Sequence, residues 1–346
     1  MTVPIDTAKL SDKYRAAALD VEGRRLLITN FRGSEQERDL AEPANCRGFG
    51  RIRHFTRGGR GAWPENPLPI VPACRSLGLP VADGLRAQVF QNAVCNWRCW
   101  YCFVDFKLLA ANRKHSDWLG PKDLVDLYIG EPDPPAMIDL SGGQPDLIPE
   151  WIPWMMEEIR SRGLEDRVYL WSDDNLSNDF FWRHLTPAQI ELVAGYSRYG
   201  RVCCFKGFDA ESFAFNTAAE PSSFDAQFDL IGRFVGLGID LYAYVTLTSP
   251  TLDDLRGRVR RFVDRLQDVD PALPLRTVPL EVGVFTPVRA RLDPEKERAI
   301  EHQRAAIKVW LEELASRYPD ADRSRPICDI PLGDGGGSRG PRTVGR

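Results

Sequence analysis

The chain has 346 residues, with 45 Lys and Arg against 49 Asp and Glu for a formal net charge of −4, and 43% of it is hydrophobic. These values describe a soluble globular protein and exclude a generally basic nucleic-acid coat; no apolar run approaches the ~18 residues that a bilayer span needs. The start, MTVPIDTAKLSDKYR, lacks the apolar core of a signal peptide. A cytoplasmic chain is therefore expected, and in a reducing compartment its eight cysteines are expected to be thiols or metal ligands rather than disulfides.

In chain order, residues 1–80 read as an accessory extension. Within it residues 44–60 carry five arginines and no acid, with Phe49 and Phe55 interleaved. Such a run either contacts a phosphate, a nucleic acid or an acidic partner, or forms a solvated loop; the loop is the expected state. Residues 81–318 alternate short β-branched runs with longer helical patterns, the rhythm of βα units. The first strand, Arg86 to Gln91, leads into a cysteine-rich loop, and a helix follows from Pro121 to Tyr128 with proline in its first turn. Ala136 to Leu140 is the second strand, with Ser141-Gly142-Gly143-Gln144-Pro145 behind it and a helix from Trp151 to Ser161. Arg167 to Trp171 is the third, followed by Ser172-Asp173-Asp174-Asn175 and a helix from Phe180 to Ala194. Arg201 to Phe205, Asp240 to Leu247 and Val278 to Phe285 complete the set, with helices near 225–235, 252–266 and 294–318. Six units fall short of the eight that close a full barrel. The tail, 319–346, ends in a glycine-rich stretch that reads as disordered.

Three of the eight cysteines are gathered in one loop as Cys95-x3-Cys99-x2-Cys102. Three thiolates can converge on one metal centre and leave a coordination position for something that is not a side chain. Zinc is the competing reading, but it needs a fourth ligand and more often uses x2 pairs on both sides, with His115 the nearest downstream histidine. The spacing, with aromatic Tyr101 ahead of the last cysteine, resembles the signature of the radical S-adenosylmethionine (radical SAM) superfamily. That resemblance implies a partial (βα)6 TIM-type barrel of the α/β class and a [4Fe–4S] cluster on the three cysteines. It also implies S-adenosylmethionine on the open iron, an external electron donor such as flavodoxin or ferredoxin, and a 5′-deoxyadenosyl radical that abstracts hydrogen from a substrate.

Other segments extend the resemblance. Ser141-Gly142-Gly143-Gln144-Pro145 is similar to the family's GGE-P element, whose backbone holds the methionine amino group; Gln144 stands where glutamate is usual. Asp173 and Asn175 match the segment that reaches the ribose or sulfonium side of the cofactor, whereas helix capping is the plain alternative reading of the Asp and Asn residues there. Cys204-Phe205-Lys206 looks like the D-x-K segment of pyruvate formate-lyase activating enzymes, with Lys206 meeting the cofactor carboxylate and Cys204 in place of the acid. Backbone from Tyr101 to Phe103 is expected to face the adenine. Strand parity puts Tyr242, Tyr244, Thr246 and Thr248 on one face of the fifth strand, read as the barrel interior, where Tyr242, Tyr244 and Thr246 would offer hydroxyls to a substrate. Glu281 on the sixth strand points inward by the same parity or forms a rim salt bridge. Adjacent Cys203 and Cys204 should face opposite ways and not share a metal. The substrate is expected to be a protein or peptide, as in activating enzymes; a small molecule or nucleotide is the alternative, and a non-catalytic metal-binding or interaction protein that keeps the fold is a third.

Overall fold

The computed structural model describes residues 3–58 and 63–333. The strands are β1 (Leu19–Asp20), β2 (Arg25–Thr29), β3 (Gly50–Thr56), β4 (Gly84–Phe90), β5 (Ser116–Leu119), β6 (Met137–Leu140), β7 (Tyr169–Asp174), β8 (Tyr199–Phe205), β9 (Leu241–Thr246) and β10 (Thr277–Leu280). Seven of them form one curled sheet in the order β10-β9-β8-β7-β6-β4-β3; β1, β2 and β5 form a small second sheet. In the large sheet β4 and β6 to β10 run parallel, and β3 lies antiparallel on the outer edge of β4. Helices return the chain between parallel strands, among them Pro121–Ile129, Trp151–Ser161, Ser223–Val235 and Leu255–Val269, and Pro294–Arg317 follows the last strand. The result is the expected partial (βα)6 TIM-type barrel, open between β10 and β3. Among the described residues no helix is long and apolar enough to cross a membrane, and all eight cysteines are free.

Strand alternation divides the core in two. The outward face, with Leu170, Phe205, Leu241 and Val245, packs under the helices against Phe262 and Trp310. The inward face, with Ala87, Met137, Trp171, Val202, Tyr242 and Val278, forms a separate cluster inside the curl. Helix Ile70–Leu77 plugs this interior from the amino ends of the strands, placing Ile70, Ala73 and Cys74 in the same cluster. As expected, Cys203 lies with the outer core and Cys204 with the inner one.

Several boundaries differ from the sequence reading, each for a local reason. Residues 50–56 of the arginine-rich segment are no loop: they are β3, paired along its whole length with β4; Gly59 and Arg60 lie outside the described residues. The extension therefore completes the sheet instead of standing beside it. The single helix expected over 180–194 is two, Phe180–His184 and Pro187–Gly195, because Pro187 cannot continue a helix and Thr186 caps the second in a capping box with Gln189. The sixth strand stops at Leu280. Past it the Gln303 side chain takes the place of a neighbouring strand, accepting from the Val282 N–H at 2.9 Å and donating to the Val282 carbonyl at 3.0 Å. Helix Ala210–Thr217 was not anticipated; Asp209 caps it through the Ser212 N–H at 2.8 Å. Of the expected tail, residues 320–330 still belong to the packed body. Ile327 enters the inner core, and Arg276 donates to the Ile330 carbonyl at 2.6 Å; residues 334–346 lie outside the described residues.

Candidate functional site

The carboxyl ends of parallel strands collect the loops that carry chemistry, and here the cysteine loop leaves the end of β4. It is braced from below by β2, whose Thr29 N–H donates to the Gln91 carbonyl at 2.8 Å and whose Leu27 carbonyl accepts from Ala93 at 2.9 Å. Asn216 holds its far side: its carbonyl accepts from the Trp100 N–H at 3.1 Å and its Oδ1 from the indole at 3.0 Å. Asn216 Nδ2 then donates to the Lys206 carbonyl at 2.8 Å, tying the loop to the end of β8. Arg291 donates to the carbonyls of Cys102 and Val104 at 2.6 and 2.7 Å. Neither Asn216 nor Arg291 carries a signal in the sequence, since each acts through contacts with segments far away along the chain.

Cys95, Cys99 and Cys102 are all half-buried. Among the described residues no three His, Cys, Asp or Glu side chains are gathered tightly enough to hold a single metal ion. The three thiols are nevertheless mutual neighbours: burial pushes Cys99 up to about 12, with Lys206 opposing and Cys102 and Cys95 adding to the rise. Burial also raises Cys102. Tyr101 is buried, its hydroxyl 3.0 Å from Thr246 Oγ1, which links the loop to β9. Phe103 is half-buried, its ring 6.1 Å from that of Phe285 beyond β10.

The glycine turn packs directly on this loop. Gly142 and Gly143 have φ of +83° and +67°, a region where a Cβ is strained. A Cβ on Gly142 would collide with Gln91 Oε1; one on Gly143 would collide with Asn92 Oδ1 and lie 2.6 Å from the Val94 carbonyl. The glycines thus let the two loops touch. Gln144 is fully buried. Its N–H donates to the Val94 carbonyl at 2.8 Å, its Nε2 to Asp174 at 2.7 Å, and its Oε1 accepts from the Asn175 N–H at 2.9 Å. Ser141, also buried, donates to Asp139 at 2.9 Å.

Asn175 donates from Nδ2 to Asn96 at 3.1 Å, with Cys95 Sγ at 3.9 Å; its Oδ1 is buried without a partner among the described residues. Asp174 turns away from the loop mouth, accepting from the Leu176 N–H at 2.8 Å and pairing with buried Arg201, as Asp146 also does. Asp173 instead faces the interior, where burial first and Asp139 next push it up to about 7. Burial alone would lower Lys206, but Cys204, Tyr101, Cys99 and Asp173 around it outweigh that and raise it. Burial pushes Cys204 up to about 12 against the opposing Lys206. Asp173, Lys206, Cys204, Tyr101 and Cys99 therefore form one cluster at the barrel mouth.

The residues expected to meet a substrate divide. Thr246 sits at the mouth beside Tyr101, whereas the Tyr242 hydroxyl, deep in the barrel, donates to Asp240 at 2.8 Å. The Tyr244 hydroxyl is engaged by the extension, accepting from Asn66 Nδ2 at 3.1 Å and lying 3.3 Å from the Leu68 carbonyl. Glu281 is exposed just past the end of β10. Sequence reasoning missed Arg51, Arg53 and Asp139, which share the interior face. The signal was there: Arg51 and Arg53 alternate with Ile52 as strand residues do.

No family model matches the chain, and no curated protein matches it in sequence. Among solved structures it is similar to SuiB of Streptococcus suis bound to S-adenosylmethionine, with 15% identity and a TM-score of 0.43 over 66% of this chain and 47% of that one. SuiB bound to precursor peptide SuiA aligns with 15% identity and a TM-score of 0.39 over 52% and 36% of the two chains. Native anSMEcpe with bound AdoMet aligns with 13% identity and a TM-score of 0.40 over 65% and 60%. The chain spans between 36% and 60% of the length of these proteins.

Proposed function

We propose that the chain is a radical SAM enzyme. The observation that supports this most is the placing of Cys95-x3-Cys99-x2-Cys102 at the carboxyl end of the first parallel strand, with the Gly142-Gly143 turn packed against it. The surroundings fit the group the motif implies: three half-buried thiols on one loop, the orphaned Asn175 Oδ1 beside Cys95, and a lysine ammonium at the mouth. Cys95, Cys99 and Cys102 would hold a [4Fe–4S] cluster, which supplies the electron that cleaves S-adenosylmethionine reductively to a 5′-deoxyadenosyl radical.

The chain's own residues bind, orient and exclude water. Lys206, beside Asp173 at the barrel mouth, offers a compact positive charge to the cofactor carboxylate. Asn175 keeps an acceptor free for a hydroxyl or ammonium proton. Ser141, Gly142, Gly143 and Gln144 shape the turn against which the methionine end would lie, and backbone from Tyr101 to Phe103 would meet the adenine. The substrate would be a protein or peptide, as the resemblance to activating enzymes suggests, with hydrogen removed from a group presented between β3 and β10.

Anaerobic reconstitution with iron and sulfide, followed by assay for 5′-deoxyadenosine with reductant and S-adenosylmethionine, tests the reading. Product is expected from the wild-type chain and at least ~100-fold less from Cys99→Ala. A reconstituted protein that binds no cluster, or forms product equally well in Cys99→Ala, sinks it.

A further inference from the structure

Arg51 is 6% exposed, yet no hydrogen bond or ion pair with any described residue engages its guanidinium, and Nε and Nη2 are buried without partners. The rings of Phe103 at 5.4 Å and Phe31 at 6.0 Å flank it, and the nearest carboxylates, Asp139 and Asp173, act on it without a hydrogen bond or ion pair. A buried guanidinium ordinarily keeps a carboxylate or several carbonyls beside it, because an uncompensated charge in low dielectric is strongly unfavourable. Burial first and the neighbouring Arg53 next lower its affinity for the proton, and Asp139 and Asp173 only partly oppose them.

Arg53 shares the inward face of β3 two residues on. It is half-buried, stacked over Phe55 at 4.1 Å, and only loosely paired with Asp139 at 3.6 Å. Arg51, Arg53 and Phe103 line a cavity of about 340 Å³ at the open side of the barrel, between β3 and Phe285. Its acid, Asp39, is already occupied, accepting from the Thr286 N–H and hydroxyl at 2.9 and 2.8 Å. His54, on the opposite strand face, pairs with Glu42 at 2.7 Å. Two guanidinium groups thus line this space, and the one acid that lines it with them is already engaged.

We propose that Arg51, assisted by Arg53, is the binding site for an oxyanion of the substrate, a carboxylate or a phosphate, entering through the lateral opening between β3 and β10. The planar guanidinium fork matches either group in a bidentate fashion, and desolvation strengthens that pairing. Lys206 is the cation among Cys99, Tyr101 and Cys204 beside the cysteine loop, whereas Arg51 lies against Phe103 and Phe31 at the edge strand, a position suited to a second ligand. The inference rests on the proposed function only in taking that ligand to be the substrate.

The test needs no cluster and reads no catalysis, so its failure leaves the radical reading standing and the failure of that reading leaves the anion site standing. Thermal unfolding of the full chain is followed against inorganic phosphate and, separately, acetate and succinate, each balanced with chloride at constant ionic strength. The wild type is expected to gain about 2 °C at ten times the dissociation constant of the better anion. Arg51→Met should lose that response while unfolding no earlier than the wild type in chloride alone, because it removes a buried guanidinium that has no hydrogen-bonded partner. Arg51→Lys, which keeps the charge but not the fork, should weaken the response about tenfold and serves if the methionine variant fails to fold. A stronger response to phosphate or to the carboxylates identifies which oxyanion the substrate carries. Equal responses in wild type and variants, no response in any, or a response that S-adenosylmethionine competes away would overturn the proposal.

Discussion

Gln144 shows how one side chain decides what its neighbours can do. It must donate to Asp174 and accept from the Asn175 N–H at the same time, and an amide does both without taking up a proton. Seen in sequence alone, the replacement of glutamate by glutamine removes a charge and weakens the motif. In the fold it is required, because Asp174 is committed to Arg201. Gln144→Glu should therefore destabilise the chain by about 2 kcal/mol at pH 7.5, the cost of a lost buried donor set against a like charge. The sign with pH follows from linkage. The introduced carboxyl has a folded pKa above its unfolded value, so the fold binds the extra proton. The deficit should be small near pH 5 and grow as pH rises. Urea unfolding of both proteins at the two pH values measures it.

At the scale of elements, contact between two loops matters more than the composition of either. The Gly142-Gly143 turn is legible as a turn in any sequence, but its reason is the cysteine loop pressed on it, a contact across roughly fifty residues of chain. Gly143→Ala adds a Cβ against Asn92 and the Val94 carbonyl in a left-handed backbone, and should cost at least about 2 kcal/mol together with most of the reconstituted iron. Gly78, the C-cap of helix Ile70–Leu77, has a similar φ of +68° but open space around it. Gly78→Ala should cost about 1 kcal/mol and leave the iron content unchanged. Iron analysis beside thermal melts separates the two. Many strand and helix positions were readable from periodicity, and the errors fell where a side chain stood in for a strand, as Gln303 does, where a proline divided a helix, as Pro187 does, and where a segment was missed outright, as β3 and helix Ala210–Thr217 were.

For the molecule as a whole, the extension and the barrel share one sheet and one inner core. Residues up to 80 supply β3 to the edge of β4, the helix that plugs the interior, and the Asn66 side chain that engages Tyr244. Without them β4 would present an unpaired edge and the inner aromatic cluster would meet water. A chain starting at residue 81 should lose its cooperative melting transition and its near-ultraviolet circular dichroism, whereas independent domains would leave both largely intact.

What the sequence by itself determined is local: the cysteine spacing, the order of βα units, and the parity that places Cys203 and Cys204 on opposite faces. These depend on neighbours along the chain and on periods of two and 3.6 residues, which hold wherever the segment sits. The tertiary structure decided the company each residue keeps. An arginine run that composition assigns to solvent became β3 because β4 offered a free edge, and its alternation then turned Arg51 and Arg53 inward. Tyrosines that parity aimed at the interior were engaged by the extension and by Asp240. Such pairings join segments far apart in sequence, and no local pattern encodes them, because they follow from which surfaces are left to bury once the sheet has formed.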